Sequence, residues 1–316
     1  MSARGPSAGT AFRLPGYDDG AMTSQTSQPV RALRHGFAAT ALVLLVCLVV
    51  ALLSWLSYSS DRDLLSSMTS RSQGDVVSYS DGAVSVRWPS GSARVAYENG
   101  ERVVGRQTQV AFDPADPSVA VIPGADLLLE TDRALGGVTF SAAVALLVVL
   151  AGLVRLFLAV RSSRAAAETV SVRRIRLQSG LMVRSWLEID GPVERWLPVY
   201  YDPVLVTLPS PVDVSLRGGR VAVVDGVTLY PSGRAVVRHP RGRRVDNPAQ
   251  PDPQTRAPRG LVAQLRADAV FLVPAPIVGL FWAYVDGSGF TGWITATVVA
   301  AALGLWWGAF RGSDPS

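Results

Sequence analysis

Lysine is absent from this 316-residue chain, and all 30 basic side chains are arginine. A surface shaped for one anionic partner would not exclude lysine everywhere. The bias therefore reads as the coding habit of a GC-rich, bacterial genome. One cysteine, Cys47, lies inside an apolar run, which excludes an intrachain disulfide. Only two histidines occur, His35 beside that run and His239 at the edge of a Pro- and Arg-rich stretch. A nucleophile needs a base at its side, and neither position supplies a Ser-His-Asp setting. Zinc-ligand spacing and a P-loop are both missing. Asp113 and Asp116 are spaced either to share a cation or to cap the end of a strand, and Asp202 reads the same way. The expectation is a protein that is not an enzyme, with no catalytic, cofactor-binding or metal residues and no cofactor.

What the chain has instead is long apolar runs. Residues 138–160 read VTFSAAVALLVVLAGLVRLFLAV, with Arg155 the only charge. At about 1.5 Å per residue, this run reaches roughly 35 Å, enough to cross a bilayer core. A first run covers residues 36–58, longer than a signal-peptide core and preceded by a long tail, so it reads as an uncleaved helix. Residues 261–285, interrupted by Pro274 and Pro276, form a third that should kink or start late. Residues 290–310 form the fourth, after a D-G-S-G turn.

Two polar stretches lie between the runs. Residues 59–137 alternate polar and apolar between turn dipeptides at Asp81-Gly82, Ser90-Gly91 and Asn99-Gly100, the grammar of an antiparallel meander. Residues 161–238 repeat that grammar around Ser179-Gly180, Asp190-Gly191, Gly218-Gly219, Asp225-Gly226 and Ser232-Gly233. Residues 1–35 are Ser-, Gly- and Pro-rich and read as a disordered tail. Residues 239–260 read as a flexible linker, and 311–316 as a short tail. An 89-residue shift aligns Arg87, Ser90 and Gly91 with Arg176, Ser179 and Gly180, and Asp113-Pro114 with Asp202-Pro203. Either duplication or shared hairpin grammar accounts for that echo.

Arginine placement orients the runs. Residues 59–137 hold 7 Arg against 11 acidic side chains, whereas residues 161–268 hold 17 against 10. The expected topology puts both termini in the cytoplasm and residues 59–137 outside, in a bacterial plasma membrane. Trp55, Tyr58, Trp282, Tyr284 and Trp293 then fall at the outer interface, and Trp306 and Trp307 at the inner one. The fold class expected is an α-helical membrane protein with four transmembrane helices and two small antiparallel β modules, one on each side.

The segment VAFDPADPSVAV follows a helix and a short meander. In this it resembles the bacterial membrane family called domain of unknown function 3592, over roughly residues 36–160. Members are similar in having a helix, a β segment closed by aromatic-Asp-Pro-x-x-Pro, and a second helix; Phe112 stands where Tyr is usual. The resemblance implies architecture and no activity.

Two sets of residues read as contact sites. Arg161, Arg164, Arg173, Arg174 and Arg176 follow the second run, where they either satisfy plain positive-inside topology or touch lipid headgroups. Gly292, Ala296, Ala300, Gly304 and Gly308 recur every fourth residue, which allows close packing on a helix of the same chain or of an oligomer partner. Membrane lipids and protein partners are expected. Nucleic acid is not, because no aromatics interleave with the arginines. The leading functional expectation is a non-catalytic accessory or scaffold subunit of a cell-envelope assembly. The alternative is a transmembrane sensor coupling the outer β module to the inner one.

Overall fold

The computed structural model describes residues 29–98, 100–246 and 260–316. The expected tail up to residue 28, and residues 247–259 of the expected linker, lie outside them. Two long helices form the spine, α1 (Pro29–Ser67) and α2 (Asp126–Ser163). Each is about 57 Å long at the α-helical rise. Both exceed the apolar runs at their hearts. Residues 59–67 contain no Gly or Pro to stop α1, and the helix formers of DLLLETDRAL start α2 well before residue 138.

Between the two helices lies a curled antiparallel sheet. It comprises β1 (Ser70–Ser80), β2 (Ala83–Trp88), β3 (Gly91–Ala96), β4 (Gln107–Phe112) and β5 (Ala120–Val121), in the order β3-β2-β1-β4-β5. Asp81 and Gly82 both take positive φ, 48° and 71°, the geometry that matches hairpin twist. Alternation puts Val84, Val86, Val95 and Val110 on one face, capped by Trp88 and Phe112, whose rings lie 5.3 Å apart. Leu65 of α1 and Met68 just after it, with Ala125 just before α2 and Leu127 and Leu128 in its first turn, complete this core.

A second curled sheet follows α2. Its strands are β6 (Ala167–Ser179), β7 (Met182–Ile189), β8 (Arg195–Val199), β9 (Val212–Arg217), β10 (Val221–Val224), β11 (Val227–Leu229) and β12 (Arg243–Asp246). The order is β11-β10-β9-β6-β7-β8, with β12 on the far half of β6. The curl nearly closes, because β8 also pairs with the chain after β11. Trp196 N–H donates to Val236 O at 2.8 Å, Val236 N–H returns a bond to Trp196 O at 2.9 Å, and Ser232 N–H donates to Pro198 O at 2.8 Å. Leu187, Leu197, Leu216 and Leu229 fill the interior.

The two sheets share the Asp-Pro turn and little else. Asp113 Oδ1 accepts from Ala115 N–H at 2.8 Å, and Asp202 Oδ1 accepts from Val204 N–H at 3.0 Å. Their ladders differ. Trp88 faces Gly91 across the first hairpin, whereas Ser179 faces Met182 in the second. Strand β4 pairs with β1, but β8 pairs with β7.

The chain ends in α3 (Leu261–Asp268), a 3-10 turn (Ala269–Leu272), α4 (Ala275–Asp286) and α5 (Gly289–Arg311). Pro274 has no N–H to donate, and the axis bends there by 43°. Helices α1, α2 and α5 pack through Ala39, Val43, Cys47, Val148, Ala302, Trp306 and Ala309. Among the described residues, three helices are long and apolar enough to cross a membrane, and the bent α3–α4 pair makes a fourth if counted as one span. Their outward faces are apolar and bare: Leu48 is 65% exposed, Phe157 64% and Phe281 70%.

Leu187 is fully buried in the second sheet. Leu187→Ala should destabilise that sheet by about 3 kcal/mol through lost contacts and a cavity. Limited proteolysis of the full chain checks this: cleavage should accelerate within residues 167–246 and stay unchanged within 70–121.

Candidate functional site

The polar groups of the chain converge where the second sheet meets the ends of α1, α2 and α5. Gly312 turns the backbone off α5 with φ of 78°, and a Cβ there would come within 2.6 Å of the Ser232 Cβ. Residues 312–316 then lie along β7. Asp314 N–H donates to Val183 O at 2.9 Å, and Arg184 stands opposite Ser313. Side chains alternate across this added segment, so its two faces carry different chemistry.

On one face, the fully buried Asp314 carboxylate gathers Arg174 Nη2 at 2.8 Å, Arg176 Nε at 3.6 Å and the Ser185 hydroxyl. Ser316 adds an Oγ–H bond of 2.6 Å and an N–H bond of 2.9 Å. Arg174 also donates to Ser316 Oγ and to Leu205 O. Burial pushes the Asp314 carboxyl up. The Arg174 charge and the hydrogen bonds from Ser185 and Ser316 outweigh that and hold it below its ordinary 3.8. The Tyr201 hydroxyl, pressed by burial and then by the Asp314 charge, is pushed up to about 12.

The opposite face holds Arg184. The residue is 8% exposed, its Nη2 donates to Ser232 Oγ at 3.0 Å, and its guanidinium lies 5.1 Å from the Trp186 ring. Burial, then the charges of Arg311 and Arg155, pull this guanidinium down to about 10, so it stays charged at neutral pH. Arg155 stacks 4.3 Å over Phe310, and Arg311 5.1 Å over Trp307. The Tyr200 hydroxyl donates to Phe310 O at 3.1 Å.

A third polar contact lies deeper among the helices. His35 Nε2 and Asp268 Oδ2 are 2.6 Å apart, and the Asp268 side chain is fully buried. A Cβ at Gly308 would collide with Asp268 Oδ1, so this pair depends on glycine at the facing turn of α5.

The sequence-derived residues distribute as follows. Arg174 and Arg176 sit in the Asp314 cluster, 13% and 12% exposed at their side chains. Arg173 faces outward, 3.8 Å from Asp190, while Arg161 and Arg164 are exposed at the end of α2. Gly304 lies against Phe271 and Gly308 against Asp268, both in this same chain. Gly292 touches Ser288 in its own first turn, and Ala296 and Ala300 are half-buried. Asp113 and Asp116 cap their own turn through Ala115 and Ser118. Sequence reasoning did not find Asp268, Arg184 or Asp314. One signal was present: Arg174 and Arg176 are two apart on a strand, so they share a face that needs an acid.

Compared with protein-family models, curated proteins and solved structures, the chain matches none.

Asp314→Asn keeps the shape and removes the charge, leaving Arg174 and Arg176 buried beside a neutral group. The expected loss is about 3 kcal/mol, read as a lower melting temperature in detergent and faster proteolysis of the second sheet. In the native chain, the depressed carboxyl contributes stability that is full above its ordinary 3.8 and fades as pH falls through its lower folded value. Acid titration of wild type and Asp314→Asn should therefore show their stability difference shrinking only below that point.

Proposed function

We propose that this chain is a non-catalytic integral membrane protein that fixes one β module on each face of a bacterial plasma membrane, as a scaffold subunit of a cell-envelope assembly. One observation carries the reading: α1 and α2 are continuous, and their ends belong to both modules. Leu65, Met68, Ala125 and Leu128 complete the first sheet's core. Leu33, Leu156 and Ala159 pack on Tyr200, Val221 and Tyr230 of the second. A pair of rods embedded at both ends holds two docking surfaces at fixed separation.

The membrane part rests on the bare apolar flanks of α1, α2, α4 and α5, which water would not tolerate at this extent. In this reading the bent α3–α4 pair is the third of four spans, and both termini face the cytoplasm. Arginine excess puts the second module inside. The reading keeps the resemblance to domain of unknown function 3592 over residues 36–160, which rests on the sequence segment containing Phe112-Asp113-Pro114. The non-catalytic part of the reading rests on the sequence, in which neither His35 nor His239 has a Ser-His-Asp setting.

A sensor is the second reading, and the same doubly embedded helices favour it. A shift in the first sheet has no hinge along α1 or α2 in which to dissipate. Vesicle proteolysis separates the two readings: altered digestion of residues 167–246 on ligating or mutating the first module supports a sensor, and unchanged digestion supports the scaffold.

Sidedness is tested with single cysteines in a Cys47→Ala background. Ser90→Cys, in the exposed β2–β3 turn, should react with an impermeant maleimide on intact cells. Ser179→Cys, exposed at the end of β6, should react only after permeabilisation. The opposite pattern overturns the orientation. Purification in mild detergent then tests the scaffold, which a lone monomer with no reproducible partner would overturn.

A further inference from the structure

Two clusters of arginine meet the segment after α5, and only one has an acid. Arg174 and Arg176 share Asp314. Arg155, Arg184 and Arg311 have no carboxylate within ion-pair reach among the described residues. Burying a cation without a counter-charge is costly, and such groups are ordinarily paired. The C-terminal dipole of α5 offers only about half a negative charge, less than the buried Arg184 alone calls for.

The local geometry is that of an anion cradle. Arg184 and Ser313 stand opposite each other in the bridge, so their side chains share a face. Both are more than nine-tenths buried, and both have an unused group there: Arg184 Nε and Ser313 Oγ lack hydrogen-bond partners. Arg155 is half-buried and Arg311 exposed, which leaves a way in from the α5 side. Planar guanidinium forks match the oxygens of a phosphate group.

We propose that Arg155, Arg184 and Arg311, with Ser313, bind a phosphate-type anion supplied by the headgroup of an anionic phospholipid. This rests on the membrane reading above. The lipid source follows from what adjoins the cradle. Arg311 stacks on Trp307, and Trp307 also lines an apolar groove of about 340 Å³ formed with Phe271, Val278, Ala300 and Leu303. Headgroup and acyl chain therefore have adjoining surfaces of matching chemistry. The site is separate from the exposed Arg161, Arg164 and Arg173.

The test uses the full chain, delipidated in detergent, with native mass spectrometry and thermal unfolding as readouts. The probes are dioleoyl phosphatidylglycerol, dioleoyl phosphatidylcholine and inorganic phosphate. Phosphatidylglycerol should bind and raise the melting temperature, and phosphatidylcholine should not. Arg184→Gln and Arg311→Gln should each weaken phosphatidylglycerol about tenfold. Arg94→Gln, a charge lost from the first sheet, should leave it unchanged. If Arg184→Gln fails to fold, the exposed Arg311→Gln decides. A response to inorganic phosphate that equals the lipid's, and is lost in the same variants, keeps the anion cradle and overturns the lipid source. Equal response to both lipids, or full binding by the folded variants, overturns the proposal. Alkaline extraction of membranes separates the two failures: release of the chain sinks the membrane reading, whereas retention with indifference to the anionic lipid sinks the headgroup site alone.

Discussion

The antiparallel pairing of α1 and α2 is the constraint on which the remaining structure depends. Gly137 of α2 faces Ser54 of α1 so closely that a Cβ there would strike its hydroxyl, and at the other end Leu33 meets Ala159. Because the helices run in opposite directions in register, the loop between them emerges at one end and the second sheet grows from the other. Each sheet then uses the helix ends as part of its floor. The first core is completed by them, which is why the helices outrun their apolar runs at that sheet, whereas the second sheet fills its own interior and meets the helices through Tyr200, Val221 and Tyr230.

Helix α5 adds a third rod to this pair and brings polar chemistry to one end. Trp306 donates its indole N–H to Thr40 of α1 at 3.1 Å, and its ring stacks on Phe310 at 4.7 Å. Gly304 and Gly308 let the 3-10 turn and Asp268 approach at the same level. The result is a stratified junction. The His35–Asp268 contact lies among the helices, the Arg155–Arg184–Arg311 group lies at their ends, and the Asp314 cluster lies within the sheet. Two of these layers pair an acid with a base, whereas the Arg155–Arg184–Arg311 layer has no carboxylate within ion-pair reach among the described residues.

Much of the architecture was legible because it is local. Apolar runs, Asp-Gly and Ser-Gly turns and strand alternation are written within a dozen residues, and Asp81-Gly82 and Asp225-Gly226 form the left-handed turns their chemistry favours. Helix ends were less legible: nothing in residues 59–67 is apolar enough to announce a helix, yet nothing there breaks one. The site was the least legible part. Asp314 reaches Arg174 across 140 positions, and Asp268 reaches His35 across 233. No local pattern encodes such a meeting. Arg174 and Arg176 read as a basic flank because the acid that claims them lies beyond three helices in the chain. The 89-residue echo was real at the Asp-Pro turns and absent from the strand ladders, since a turn is specified by two residues and a ladder by the whole sheet.

The docking of residues 312–316 on β7 also sets an order in time. A ribosome releases β6 to β12 first and α3 to α5 afterwards, so the second sheet leaves synthesis with Arg174 and Arg176 still lacking their carboxylate. Only when α5 has taken its place does Asp314 arrive and close a loop whose ends lie 140 positions apart. The second module therefore matures last, after the final helix. Its last strand partner is thus the chain's own final segment, docked on β7 through Asp314 and Val183.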